Sequence, residues 1–209
     1  MAKPSTFGNM VLSLSLICLV CALLLAVVYS VTAGPIAATE LKKVNGAIAA
    51  VVPEFDNTPS EEVMKVGDSE VYPATKDGVI TGYAVRVKTS GFGGPIQMMV
   101  GFTPDGVVYN TSVISHSETP GLGAKITEES AKPRVQIKGK NPSVNNITVS
   151  KDGGEIDAIT ASTITSRAFL KGVAQAYEVF KQAQALVPAG QDAQAPAAAT
   201  DNTEENGEK

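Results

Sequence analysis

Hydrophobic positions recur along this chain in three rhythms, and each predicts a different element. Between Lys3 and Glu40 no residue is charged, and residues 10–33 are Leu, Val, Ala, Ile, Ser and Cys with little polar interruption. About 20 such residues, rising about 1.5 Å each, span the roughly 30 Å hydrocarbon layer, so this run predicts a transmembrane helix. Val31-Thr32-Ala33 has the small-residue form of a signal-peptide cleavage site, yet the run is longer than a signal core of about 7–15 residues, which favours an uncleaved anchor. Past Gly34-Pro35, the residues Leu41, Val44, Ile48 and Val51 return at helical spacing and predict a separate stalk helix over 36–52, ended by Pro53. The polar, acidic stretch 53–66 reads as a surface loop or a short helix over 60–66.

From residue 71 the rhythm shortens to two. Residues 71–74, 80–88, 96–102 and 107–114 read as strands, with Asp77-Gly78 and Pro104-Asp105-Gly106 as turns, which makes an antiparallel meander. A further short strand is predicted over 146–150. Helical rhythm returns over 168–183, where Phe169, Val173, Tyr177 and Phe180 form one apolar stripe that would seat a helix on the sheet. Beyond 187 the sequence is Ala, Gln, Pro, Asp and Glu without period, a composition that predicts disorder. The fold class is therefore α+β, a mainly antiparallel sheet with flanking helices, preceded by one N-terminal transmembrane helix. Its segments are a cytoplasmic N-terminus (1–9), the membrane helix (10–33), a helical stalk and connecting segment (34–70), the domain (71–187) and a disordered tail (188–209). Lys3 and the amino terminus lie on one flank of the apolar run, and the other has no positive charge until Lys42 and Lys43. This bias orients the N-terminus to the cytoplasm and the domain outside.

Composition then narrows the chemistry. A net charge of -4 without a basic run, and 5% aromatic residues with no Trp, argue against nucleic acid as partner. His116 is the one histidine, which excludes a His-cluster metal site, and no metal is predicted. Cys18 and Cys21 fall inside the apolar run, where no other ligand is at hand, and read as small packing residues.

Hydroxyl residues gather at Thr160, Ser162, Thr163 and Thr165, between the turn Asp152-Gly153-Gly154 and the start of the last helix. Helix starts present unpaired N–H groups and a positive dipole end, so the cluster is either a set of caps or an anion site. Upstream, His116-Ser117-Glu118-Thr119-Pro120-Gly121-Leu122-Gly123 is a tight, approachable loop. Gly91-Phe92-Gly93-Gly94-Pro95 is another, with an exposed ring at Phe92. Lys125, Lys132, Arg134, Lys138 and Lys140 make the stretch 124–140 basic, which reads as a solvated face.

The stretch from Asp157 to Arg167, Asp-Ala-Ile-Thr-Ala-Ser-Thr-Ile-Thr-Ser-Arg, resembles the flavinylation motif of a family of FMN-binding domains. That family comprises the G subunits of Rnf electron transport complexes and the C subunits of Na+-translocating NADH:quinone reductases. Residues 116–123 and 91–96 resemble its His-x-Glu-Thr-Pro-Gly-Leu-Gly and Gly-Tyr-Gly-Gly-Pro-Ile loops, in the same order. The resemblance implies FMN joined through a phosphoester to Thr163, with Thr160, Ala161, Ser162, Ile164 and Thr165 around it. Ala161-Ser162 stands where Gly-Ala is commoner. It further implies that Glu118, Thr119, Leu122, Gly123 and Phe92 receive the isoalloxazine. The hydroxyls of Thr160, Ser162 and Thr165 would donate to the phosphate, and one lysine of 124–140 could neutralise it. No residue is assigned a catalytic role, because a separate flavin transferase using FAD installs the group. The implied function is electron carriage in an ion-translocating ferredoxin:NAD+ oxidoreductase of the Rnf type, in the bacterial inner (cytoplasmic) membrane with the flavin domain on the outer face. Its partners would be the other proteins of the complex, the transferase and the lipid bilayer. The alternatives are the C subunit of the quinone reductase, for which this chain is short, or a tethered assembly protein that kept the fold without the flavin.

Overall fold

The computed structural model describes residues 7–186; the segments expected to be a cytoplasmic N-terminus and a disordered tail lie largely outside these. The chain divides into two compact units, residues 1–46 and 47–209. The first is nearly all of helix α1 (Phe7–Val51), a 45-residue helix long and apolar enough to cross a bilayer. Leu, Val and Ile side chains are exposed on every side of it, as are Cys18 and Cys21. Its hydroxyls bond back to the preceding turn: Ser13 Oγ donates to Met10 O at 3.0 Å, Ser30 Oγ to Val27 O at 2.9 Å and Thr32 Oγ1 to Val28 O at 2.8 Å. That habit satisfies polar groups where lipid offers no partner.

One helix replaces the two predicted on either side of Gly34-Pro35, for α1 runs through Pro35. A proline removes a single donor from a ladder that is otherwise intact, and Thr39 Oγ1 donates to the Pro35 carbonyl at 2.8 Å just beyond it.

The second unit is built on a five-stranded antiparallel meander in the order β1-β2-β3-β4-β5. The strands are β1 (Met64–Val66), β2 (Ser69–Lys76), β3 (Val79–Ser90), β4 (Pro95–Phe102) and β5 (Val108–His116). Val71 pairs with Val85 and Val85 with Val100, while Tyr83 pairs with Phe102. Period-two alternation therefore turns these side chains to one face. Against that face lies α3 (Thr163–Leu186) with its stripe of Phe169, Val173, Tyr177 and Phe180, all buried. Phe102 and Phe180 stack at 5.1 Å, and Tyr83 meets Phe180 edge-on at 5.4 Å, geometries that aromatic quadrupoles favour.

The other face is closed where it meets the end of α1, while Lys88 on the same face is exposed and Arg86 and Gln97 are half-buried. Ala84, Met99 and Gly101 are buried there, and the end of α1 from Ala47 supplies Ile48 and Val51. Contact is so close at Gly101 that a Cβ would collide with the Val51 carbonyl oxygen, and Asn110 Nδ2 donates to Ala50 O at 2.7 Å.

Elsewhere the structure departs from the pattern. Residues 64–66 form β1 rather than a loop or helix; three residues are too few to show alternation, and the reversal into β2 uses Gly67 at φ 59°. No strand forms over 146–150. Asn146 Oδ1 instead accepts the Thr148 N–H at 3.3 Å and hydroxyl at 2.7 Å, a local turn that competes with a ladder and leaves only a single bridge, Val149 to Ile156.

Two glycine substitutions separate packing from propensity. Gly101→Ala forces Val51 off the sheet and is expected to lower stability by about 2–3 kcal/mol, the usual scale of overpacking. Gly46→Ala, in the same helix as Val51 with open space around it, should gain about 0.5–1 kcal/mol. Thermal melting of the two variants against the parent chain checks the opposite signs.

Candidate functional site

β3 and β4 meet at Ser90 and Pro95, and β4 and β5 at Ile96 and His116, so the loops 91–94 and 117–123 leave the same end of the sheet. Glu118 ties them together. Its carboxyl group is buried; Oε1 accepts the Gly93 N–H at 3.1 Å and Oε2 accepts the Thr165 hydroxyl at 2.6 Å. Its own N–H is received by His116 Nδ1 at 3.1 Å. Glycine at 91 and 123 is what admits the carboxyl group, since a Cβ at either position would collide with it.

The third participant is the start of α3. The Ser162 N–H donates to Ile159 O and the Ser166 N–H to Ser162 O, both at 3.0 Å, while the Ile159 N–H is taken by Ser166 Oγ at 2.9 Å. These bonds wind the chain into the helix at Thr163, its first residue, whose N–H belongs to the unpaired set at any helix start. Entry requires Ala161 to sit at φ 61°, the left-handed region that glycine adopts without penalty.

Around these groups lies a cavity of about 320 Å³, walled by Phe92 from the first loop, by Glu118, Thr119, Leu122 and Gly123 from the second, and by residues 161–165. Every candidate from the sequence is on this wall except Thr160. Thr160 is exposed and instead lines an adjoining cleft of about 260 Å³ with Lys132, Ser150, Lys151 and Asp157; Ala161 and Thr163 border both. Thr165 lines the cavity, but its hydroxyl donates to Glu118 and so is committed to the fold rather than to a phosphate, contrary to expectation.

In the basic stretch 124–140, Lys125, Lys132 and Lys138 are exposed, as expected of a solvated face, and Arg134 is the exception. The stretch folds into a 3-10 turn (Gly123–Thr127) and α2 (Lys132–Ile137), with Arg134 buried. The guanidinium donates to Thr127 O at 2.6 Å and Thr111 O at 2.5 Å, and burial pushes its pKa down. The cation that does approach the hydroxyl cluster is Lys151, outside that stretch, with Nζ 3.4 Å from Thr163 Oγ1. Asp152 next to it is gripped by Arg167, Nη2 to Oδ1 at 2.6 Å and Nε to Oδ2 at 2.7 Å. The Arg167 hydrogen bonds hold the Asp152 carboxyl below its ordinary pKa. Asp157 is likewise held low, first by Gln136 and then by Lys132.

Comparison with known proteins gives the geometry a family context. The FMN-binding domain family matches residues 91–178. In the proton-translocating ferredoxin:NAD(+) oxidoreductase complex of Clostridium ljungdahlii, the G subunit is 34% identical over 169 residues, 79% of this chain and 87% of that one. Its counterpart in the Na(+)-translocating ferredoxin:NAD(+) oxidoreductase complex of Acetobacterium woodii is 34% identical, over 81% of this chain and 89% of that one. Among solved structures, the C subunit of the Na(+)-translocating NADH-quinone reductase of Parabacteroides distasonis superposes with a TM-score of 0.50 at 19% identity, over 69% of this chain and 92% of that one. This last likeness is one of fold, and it agrees with the α+β architecture.

Two substitutions test the framework. Ala161→Gly relieves the left-handed strain and is expected to stabilise the chain by about 0.5–1 kcal/mol after the entropy of glycine is counted. Thr165→Val keeps the shape and removes the donor to a buried carboxyl group, which should cost about 1–3 kcal/mol. Urea unfolding of both variants measures the shifts.

Proposed function

The chain belongs to the G-subunit family of ion-translocating oxidoreductase complexes, and we propose that it is a membrane-anchored electron carrier whose FMN is esterified to Thr163. One observation carries the reading: Thr163 opens α3 on the wall of a cavity that also holds Phe92, Leu122 and Ile164. A hydroxyl acceptor, a helix start and an apolar recess thus occur within one site. FMN has the matching parts, a flat ring, a hydrogen-bonding edge and a terminal phosphate.

The residues fit that group on physical grounds. Phe92, Leu122 and Ile164 are all exposed at the cavity and offer apolar surface to a ring. Thr119, Gly123 and the backbone of 161–163 supply polar contacts. Thr163 is β-branched, so its short side chain is stiff at χ1 and limits the swing of anything attached. The helix dipole favours negative charge at that position. Bound there, FMN supplies one- and two-electron transfer, and the protein sets its orientation and access.

In the same reading residues 10–33 of α1 cross the bacterial cytoplasmic membrane and hold the domain on its outer face. The other proteins of the complex deliver and receive the electrons, and a flavin transferase performs the maturation. Identity of 34% over 79% of the chain to a G subunit supports this assignment. A tethered protein without flavin would have no use for an intact Thr163 beside a recess of this kind.

Co-production of the full chain with a flavin transferase gives the test. The denatured wild-type band is expected to fluoresce on a gel and its 163-containing peptide to gain the mass of FMN less water. Thr163→Ala should abolish both, and Thr163→Ser should keep the attachment with a looser flavin. A wild-type peptide at its unmodified mass would overturn the carrier reading.

A further inference from the structure

We propose that Lys151 is the phosphate-facing cation of this site, and that the phosphate of the attached group lies in the cleft beside Lys151 rather than in the ring cavity. The inference rests on the esterification of Thr163 proposed above and adds where the charge goes.

Thr163 borders both recesses, so a group on its oxygen can turn its phosphate into either. The larger recess has no cation on its wall; its one ionisable side chain is Glu118, a carboxyl group. An anion placed there meets Phe92, Leu122, Ile164 and an acid. The smaller cleft contains two cations, Lys132 and Lys151, and one carboxylate, Asp157, so it is basic by one charge. Lys132 is already engaged with Asp157 at 3.4 Å, whereas Lys151 Nζ has Thr163 Oγ1 as its hydrogen-bond partner among the described residues, also at 3.4 Å. Charge complementarity therefore divides the ligand between the two recesses, ring to the apolar side and phosphate to the basic side.

The placement of Lys151 is not left to a loose loop. It sits in the 3-10 turn Ser150–Asp152, and Arg167, on the first turns of α3, holds Asp152 through both carboxylate oxygens. The same helix thus carries Thr163 and fixes the turn that presents its cation. Gly154 is needed for this packing, because a Cβ there would collide with the Thr148 carbonyl.

The step that Lys151 assists is balanced as follows. With a flavin dinucleotide as donor, Thr163 Oγ1 forms a bond to the flavin-side phosphorus and gives its proton to a base of the flavin transferase. The phosphoanhydride bond breaks, and adenylate leaves with the electron pair. Negative charge grows on the phosphoryl oxygens during this exchange, where a fixed ammonium group is most effective. Afterwards Lys151 remains paired with the phosphodiester.

The test uses the full chain, a flavin transferase and a flavin dinucleotide, with loading followed by peptide mass spectrometry. Lys151→Gln is expected to slow loading by about tenfold or more, a modest fraction of what removing a preorganised donor from a charged transition state can do. Lys151→Arg should restore most of the rate, and Lys132→Gln should change it less than about twofold, as suits a cation engaged elsewhere. Fully loaded Lys151→Gln should also show a displaced phosphorus NMR resonance in the folded state, with an unchanged melting temperature because the side chain is exposed. Loading of Lys151→Gln at the wild-type rate with an unmoved resonance would overturn this inference and leave the attachment standing. A wild-type chain that takes up no flavin would remove the attachment and this inference together.

Discussion

The site depends on a single buried carboxyl group. Glu118 receives an N–H from Gly93, 25 residues earlier, and a hydroxyl from Thr165, 47 residues later, and so joins two sheet loops to the first turn of α3. Hydrogen bonds to buried acceptors are costly to break because the abandoned group has no water to turn to. The glycines around it are accordingly not a sign of looseness. Gly91, Gly93 and Gly123 lack side chains because Glu118 and the Ser117 backbone occupy the space a Cβ would need. With these contacts in place, the Leu122 and Phe92 side chains face the same recess as Thr163.

What holds those loops at a common end is the sheet, which is packed on both sides. Phe169, Val173 and Phe180 cover one face, and Ile48 and Val51 cover part of the other. Tight contact at Gly101 makes the last turn of α1 part of the domain's own core, not a mere link to it. A chain break at residue 46 would thus leave the domain with its second face covered, while a break at residue 52 would expose it.

Much of this was legible in the sequence, for identifiable reasons. The meander shows because its strands pack alternate residues, and its turns at Asp77-Gly78 and residues 104–106 use turn-forming residues. The stripe of α3 shows because one face of a helix repeats every 3.6 residues. The cavity residues were reachable through the motif around Thr163 and its two companion loops. What stayed hidden were pairings between distant residues. Arg134 looks like any member of a basic run, and only the β5 backbone, whose Thr111 carbonyl it satisfies, explains why it is buried. Thr163 and Thr165 look alike as letters, yet two residues on a helix are turned by roughly 200° from each other, so one hydroxyl meets Lys151 and the other Glu118. Nothing in the sequence marks Lys151, because its position depends on a salt bridge spanning 15 residues, between Asp152 and Arg167. Pro35 misled in the opposite direction: in a helix with no polar stripe, one missing donor is a weaker signal than the surrounding apolar run.

The shape of the recess bears on why a bond would be used at all. At about 320 Å³ it is near the lower end of ligand cavities, and its apolar wall includes Phe92, which is 70% exposed. Such a recess leaves much of a flavin's surface in water and gives little area from which to draw affinity, while an electron carrier has to pass its flavin edge to partners and so cannot bury it. Retention and exposure conflict if both must come from contacts. The phosphoester proposed at Thr163 would separate them: attachment would fix the local concentration of the ring at the recess, independent of how tightly the walls hold it. The walls would then be free to orient the ring, and a shallow site with a stiff β-branched anchor would suit a carrier that has to be both permanent and accessible.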